Sequence, residues 1–283
     1  MPSNERAAAQ RSRAQIDQLL ANDDRRDFEF AARGFIATRE DPVIARDGGG
    51  VAFDLTSYDF LDEPCPETAN PSLWRQARLL TKHGLFKVCD GVYQVRGFDV
   101  STITFIDVDA GWVVVDPLTV IESARAAFAL VTLHLEPKRV VAVVYSHSHA
   151  DHYGGVRGVV SVEDVAAGRV RVIAPEGFLH HAISENTIAG PAMGRRARFQ
   201  FGGMLPRGPE GEITSGLGPA IPLGTPSLIA PTESISATGT ELRIGDQTFV
   251  FQTARTAGVV IRQPSEAAPA AAGGRHGFKR RVI

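Results

Sequence analysis

Apolar positions along the chain are scattered up to about His83 and become strand-like from Gly84 onward. In the first part an Ala- and Arg-rich helical stretch alternates with loops. The segment "ARDGGGVAFDLTSYDFLDEPCPETANPSLWRQARLL" clusters turn residues between short apolar pieces, and ends in a helix whose start is marked by Asn70 and Pro71. Residues 1–83 therefore read as an arm wrapped on a core. From Gly84, "GVYQVRGF" and "STITFIDVDAGWVVVDP" combine β-branched and aromatic residues with a turn at Asp109 to Gly111, which predicts paired strands. Next, "IESARAAFALVTLHLEP" places Ala124, Ala127, Phe128, Val131 and Leu135 at helical spacing and stops before Pro137. In "KRVVAVVYSH" the run Val140 to Tyr145 is apolar without alternation, as in a strand covered on both faces. Strand, helix and buried strand make an α/β unit.

Further on, "GRVRVIAPEGF" predicts a strand running into a loop, and "FLHHAISENTIAGPAMGRRARFQFGG" a helix broken near Gly190 and Pro191. "GTELRIGDQTFVFQTA" predicts a hairpin turning at Gly245 and Asp246. No internal repeat is present. Residues 253–283 are rich in Ala, Pro and Gly with a basic end, the composition of a disordered tail, so the folded region is expected over residues 84–252.

Composition narrows the function. At 283 residues, 43% hydrophobic and 22% charged, the chain is long enough for one large core or two smaller ones. Thirty basic against thirty-two acidic residues give a net charge of -2, so no global field favours nucleic acid or an anionic membrane, and a small-molecule substrate is the expectation. Cys65 and Cys89 lack CxxC spacing and suggest neither a disulfide framework nor a cysteine zinc site. The polar, charged N-terminus does not read as a signal peptide, and no stretch approaches the ~18 apolar residues of a membrane span, so a cytoplasmic protein is expected.

The chemistry concentrates in "YSHSHADHYGG", residues 145–155, which holds three of the chain's eight histidines. His147 and His149 are two residues apart directly after the buried strand, so in extended backbone both imidazoles project to one side and can reach one ion. Asp151 and His152 follow as the chain turns, and would face a second ion. Imidazole and carboxylate donors suit Zn²⁺ first, with Fe or Mn as alternatives. Two close ions sharing a water lower its pKa from ~15.7 to about 7, which favours hydrolysis. Gly154 and Gly155 permit a tight backbone approach beside the cluster.

This H-x-H-x-D-H order after a buried strand resembles the metallo-β-lactamase superfamily, and the resemblance implies an αββα sandwich with one or two metals. "NPSLWRQARLLTKHGLFKVCDGVYQVRGFDVS", "GWVVVDPLT", "YSHSHADHYGGVRGVV", "VRVIAPEGF" and "AISENTIAGPAMGRRARFQFGGMLPRGPEG" resemble its alkyl sulfatase branch over about Phe28 to Gln252. The resemblance implies hydrolysis of alkyl sulfate esters, two zinc ions and a homodimer. His147 and His149 would hold one zinc, Asp151 and His152 the other, and Asp116 would support them from behind. Taken alone, Asp116 is equally a turn aspartate before Pro117.

In that branch two glutamates and a histidine follow further on, then a helical dimerisation region and a C-terminal domain. Here "TFVFQ" is followed by "TARTAGVVIRQPSEAAPAAAGG". Glu266 echoes a glutamate at displaced spacing, and His276 reads as part of a solvated basic tail. The implied fold is thus an α/β sandwich incomplete at its C-terminus, an N-terminal piece of such an enzyme. Other readings of the same ligands are a thioesterase or lactonase, or a catalytically dead metal-binding fragment. Arg195, Arg196 and Arg198 could attract a sulfate, but such a run on a helix is more often a solvated face, so they are not counted as site residues.

Overall fold

The computed structural model describes residues 7–8, 10–15, 24–253, 258–263 and 281–282. The N-terminal part supplies α1 (Arg26–Ala32), β1 (Phe35–Ala37), β2 (Val43–Ala45), β3 (Val51–Asp54), a 3-10 stretch (Leu55–Asp62) and α2 (Pro71–Leu80). Asn70 caps α2 as its sequence suggests, its side chain accepting from Ser72 N at 2.9 Å and Leu73 N at 3.4 Å, with Pro71 in the first turn. β1 pairs antiparallel with the first strand after Gly84, and Trp74 and Ala77 of α2 enter the main core. The early residues thus share one sheet and one core with those that follow.

An antiparallel meander comes next: β4 (Gly84–Cys89), β5 (Val92–Arg96), β6 (Ile103–Val108) and β7 (Gly111–Val115). Parallel pairing requires a crossover, and α3 (Ile121–His134) provides it between β7 and β8 (Val140–Val144). After α4 (Val162–Ala166), β9 (Arg171–Pro175) lies parallel to β8. Then α5 (Phe178–Ile183), a π-helical turn (Ser184–Ile188) and α6 (Gly190–Phe201) lead to β10 (Glu233–Ile235), which closes an eight-stranded sheet in the order β1-β4-β5-β6-β7-β8-β9-β10. A second, four-stranded sheet is built from β11 (Glu241–Ile244), β12 (Gln247–Thr253), β13 (Val259–Gln263) and β14 (Arg281–Val282). Its first hairpin turns at Gly245 and Asp246, with Ile244 opposite Gln247.

The unbroken apolar strands have a physical cause. Neighbouring residues on a strand point to opposite faces, and both faces of the large sheet are covered. Phe105, Val114, Val143 and Val172 enter the core under α2, α3 and α5. Their neighbours Ile106, Val113, Val144 and Ile173 meet Ile244, Phe249 and Phe251 of the second sheet. The described residues therefore form a helix layer and two facing sheets, and no helix among them follows β11.

The site-bearing loops leave the carboxyl ends of β7 and β8, where open α/β sheets place their ligands. The loop after β7 is tightly held. Asp116 and Leu118 take φ of 54° and 63°, the left-handed region that costs a non-glycine residue about 1–3 kcal/mol unless its surroundings hold it there. Asp99, fully buried in the β5–β6 loop, accepts from Thr119 N at 2.9 Å, Thr119 Oγ1 at 2.6 Å and Val100 N at 2.7 Å. On the other side, Gly155 N donates to Leu118 O at 2.8 Å, and a Cβ on Gly154 or Gly155 would strike the carbonyls of Thr119, Pro117 and Val120. Burial pushes the Asp99 carboxyl up to about 7 against the pull of its hydrogen bonds.

Two outcomes follow. Phe249→Ala removes a fully buried ring between the sheets and should cost about 3–5 kcal/mol in urea unfolding; a loss under 1 kcal/mol would mean that the sheets share no core. Because folded Asp99 holds its proton up to about 7 while an unfolded aspartate releases it near ~3.9, stability from this residue is present below about 4 and lost as pH rises to 7. The urea midpoint of Asp99→Asn, though lower throughout, should vary less over that window than that of the parent, and parallel profiles would contradict the assignment.

Candidate metal centre

β8 delivers the site. Its five residues and Tyr145 are buried, and Tyr145 Oη donates to Ile229 O at 3.1 Å, so the chain leaves the sheet in a fixed direction. His147 and His149 follow, and a 3-10 turn (Ala150–His152) swings Asp151 and His152 back towards them. The structure brings all four predicted side chains together with Asp116. His147 Nε2 lies 2.9 Å from His149 Nδ1, and His152 Nε2 lies 3.1 Å from Asp151 Oδ2. The rings of His147 and His152 are 4.1 Å apart between centroids.

Asp116 binds the cluster from behind. Its carboxylate accepts from Ser146 N and Ser146 Oγ, both at 2.7 Å, and lies 2.9 Å from His152 Nδ1. Ser146 Oγ is also 2.9 Å from His147 Nδ1. Two imidazoles thus rest one ring nitrogen on an oxygen and turn the other into the site, the arrangement that fixes the tautomer of a metal-binding histidine.

The donors suit a metal as two pairs. Two atoms bound to one tetrahedral ion at ~2.0–2.1 Å stand about 3.3 Å apart, close to the spacing in both the His147–His149 and the Asp151–His152 pair. Among the described residues no three His, Cys, Asp or Glu side chains form a group able to hold an ion. Glu266 and His276 lie outside the described residues.

The charge states of the two pairs differ. Burial, with the neighbouring His152 and His149, holds His147 down at about 4, so it is neutral and its lone pair is open at pH 7. Burial would lower His152 too, but the hydrogen bonds to Asp116 and Asp151 prevail and raise it to about 10. Asp151 stays below the usual carboxylate range, since against burial its contact with His152 favours the charged form. A cation at this pair must displace the His152 proton.

Beside the cluster lies a cavity of about 510 Å³. Its lining mixes polar groups, among them Thr119, His149, Asp151, Glu185, Asn186 and Gln200, with the apolar Val100, Met193, Ala197, Phe201, Leu217 and Ile221. α6, which has no buried residue, forms one wall, and Gly190 and Gly194 leave it open because a Cβ on either would meet nothing within 4 Å. Arg196 lines this cavity, whereas Arg195 and Arg198 do not. Glu185, with Oε1 3.4 Å from His149 Nε2, was not foreseen from sequence. It sits in a π-helical turn, which has no residue pattern of its own.

Comparisons with known proteins bear on the family of the chain. A profile described as the metallo-beta-lactamase superfamily matches residues 96–251. The chain is 44% identical over 252 residues to a linear primary-alkylsulfatase of Pseudomonas sp., covering 87% of this chain and 37% of the relative. An alkyl/aryl-sulfatase of Saccharomyces cerevisiae is 44% identical over 241 residues, with 85% and 37% covered. The solved structure of Pisa1, a stereoselective inverting sec-alkylsulfatase from Pseudomonas sp., superposes with a TM-score of 0.86 at 41% identity, over 91% of this chain and 42% of that one. The chain thus spans well under half the length of these relatives. No helix among the described residues is long and apolar enough to cross a membrane. With a profile match over more than half its length, a histidine-aspartate cluster at the carboxyl edge of a parallel strand and a second sheet packed on the first, the chain belongs to the metallo-beta-lactamase superfamily.

Proposed function

We propose that the chain carries the metal-binding half of a zinc-dependent hydrolase that cleaves alkyl sulfate esters. The observation that carries this reading is a cavity beside the cluster whose lining holds both polar groups, His149 and Asp151 among them, and apolar side chains, Met193 and Phe201 of α6 among them, which suits a substrate with an anionic head and an alkyl tail. The names of the relatives supply the substrate class. His147 with His149, and Asp151 with His152, would hold zinc, which supplies Lewis acidity and an activated water at neutral pH.

The remaining work falls to the chain's own residues. Asp116 and Ser146 fix the faces of His152 and His147. Arg196 is a cation on a wall that otherwise carries the carboxylates of Asp151 and Glu185, so it is suited to receive the sulfate oxygens by charge-assisted hydrogen bonds. Met193, Phe201, Leu217 and Ile221 exclude water from the tail. The grouping of donors in pairs favours a second reading, a fragment that binds metal without turnover.

Metal analysis and assay separate the two. Two zinc ions per chain, with inorganic sulfate and a long-chain alcohol released from dodecyl sulfate, are expected of the enzyme. One ion or none, without sulfate release, identifies the fragment. In the active chain Arg196→Met should raise KM for the alkyl sulfate about 10- to 100-fold, the ~1.5–3 kcal/mol of a hydrogen bond to a charged group, and leave the hydrolysis of a neutral alkyl ester unchanged. An equal effect on both substrates would remove Arg196 from head-group recognition.

A further inference from the structure

Of the three clustered imidazoles, two have an evident oxygen behind them: Ser146 Oγ at His147 Nδ1 and Asp116 at His152 Nδ1. His149 has neither. It is the most exposed of the three, and its Nδ1 faces His147 Nε2. Its other nitrogen, Nε2, lies 3.4 Å from Glu185 Oε1, within ion-pair reach and longer than a good hydrogen bond. We propose that Glu185 is the positioning residue of His149, accepting the Nε2–H so that the Nδ1 lone pair faces the point shared with His147. The proposal rests on the reading that this loop holds zinc.

Three observations support it. A carboxylate oxygen can only accept, and a neutral imidazole has one donor and one acceptor nitrogen, so a bond to Glu185 leaves Nδ1 as the acceptor. Glu185 is carried by the π-helical turn, whose wide i to i+5 closure is seen in Ala189 N donating to Ser184 O at 2.9 Å. Such turns recur at functional sites because the extra residue re-aims the side chains that follow. Here one stands between α5 and α6, with Glu185 on the cavity wall beside His149. Finally, with Glu185 every histidine of the cluster has an oxygen near one ring nitrogen, at 2.9 Å for His147 and His152 and at 3.4 Å for His149. An ordinary surface ion pair would contribute little here and need not face the ring nitrogen opposite the site.

The test is zinc affinity by competition with a chelator, together with the tautomer of His149 from ¹⁵N chemical shifts in the zinc-loaded chain, since without metal the 2.9 Å contact to the His147 Nε2 lone pair needs a proton on His149 Nδ1. Glu185→Ala should weaken zinc binding about 10- to 100-fold, the usual loss when the partner of a ligand histidine is removed, with an unchanged unfolding midpoint without metal. Glu185→Gln keeps a carbonyl acceptor and should recover affinity to within a few-fold of the parent. The parent His149 should be protonated on Nε2. Parent-like zinc affinity in Glu185→Ala, a Glu185→Gln as weak as the alanine variant, or an Nδ1–H tautomer in the parent would each overturn the proposal. A parent that binds no zinc would overturn the functional reading instead.

Discussion

Asp116 is the point where fold and site meet. The residue ends a buried strand, takes a left-handed backbone conformation, and receives hydrogen bonds from the backbone and hydroxyl of Ser146 at the end of the next parallel strand. Those two bonds fasten the carboxyl ends of β7 and β8 together, and the remaining oxygen contact holds His152. A carboxylate here does what a longer or neutral side chain could not: it joins two strand ends and leaves capacity for an imidazole. The strained backbone persists because Asp99 and the glycines of the histidine loop both hold the same segment.

Charge is distributed around this joint unevenly. His147, crowded by other imidazoles, is held neutral, while His152, between two carboxylates, is held protonated without metal. The proton on His152 balances Asp116 and Asp151 in a part-buried place where two uncompensated carboxylates would repel each other. A divalent cation would take over that task with a larger charge, so the folded chain is electrostatically prepared for a cation before one arrives.

Much of this was legible in the sequence, for local reasons. The apolar run at Val140 to Tyr145 announced a strand covered on both faces, and Gly154 and Gly155 signalled the close approach now seen against Pro117 and Thr119, whereas His147 and His149 meet on a bent segment rather than on extended backbone. What stayed hidden depends on contacts between distant segments. Nothing near Phe35 shows that it will pair with Phe86, and nothing near Asp99 shows that it will receive Thr119. Arg196 cannot be told from Arg195 and Arg198 until the phase of α6 over the cavity is known. Glu185 was concealed by a π turn, because helical periodicity counted at 3.6 residues misplaces every side chain beyond such an insertion.

The cavity is lined by both the histidine loop and α6, a helix with no buried residue that follows the π turn carrying Glu185. Gly190, Met193, Gly194, Ala197 and Phe201 of α6 line it together with His149 and Asp151 of the loop after β8, so a ligand in the cavity meets both the strand ends and the helix. The π turn stands between α5 and α6 and carries Glu185 beside His149, so a side chain that misaligns it would disturb the cavity wall and that contact together.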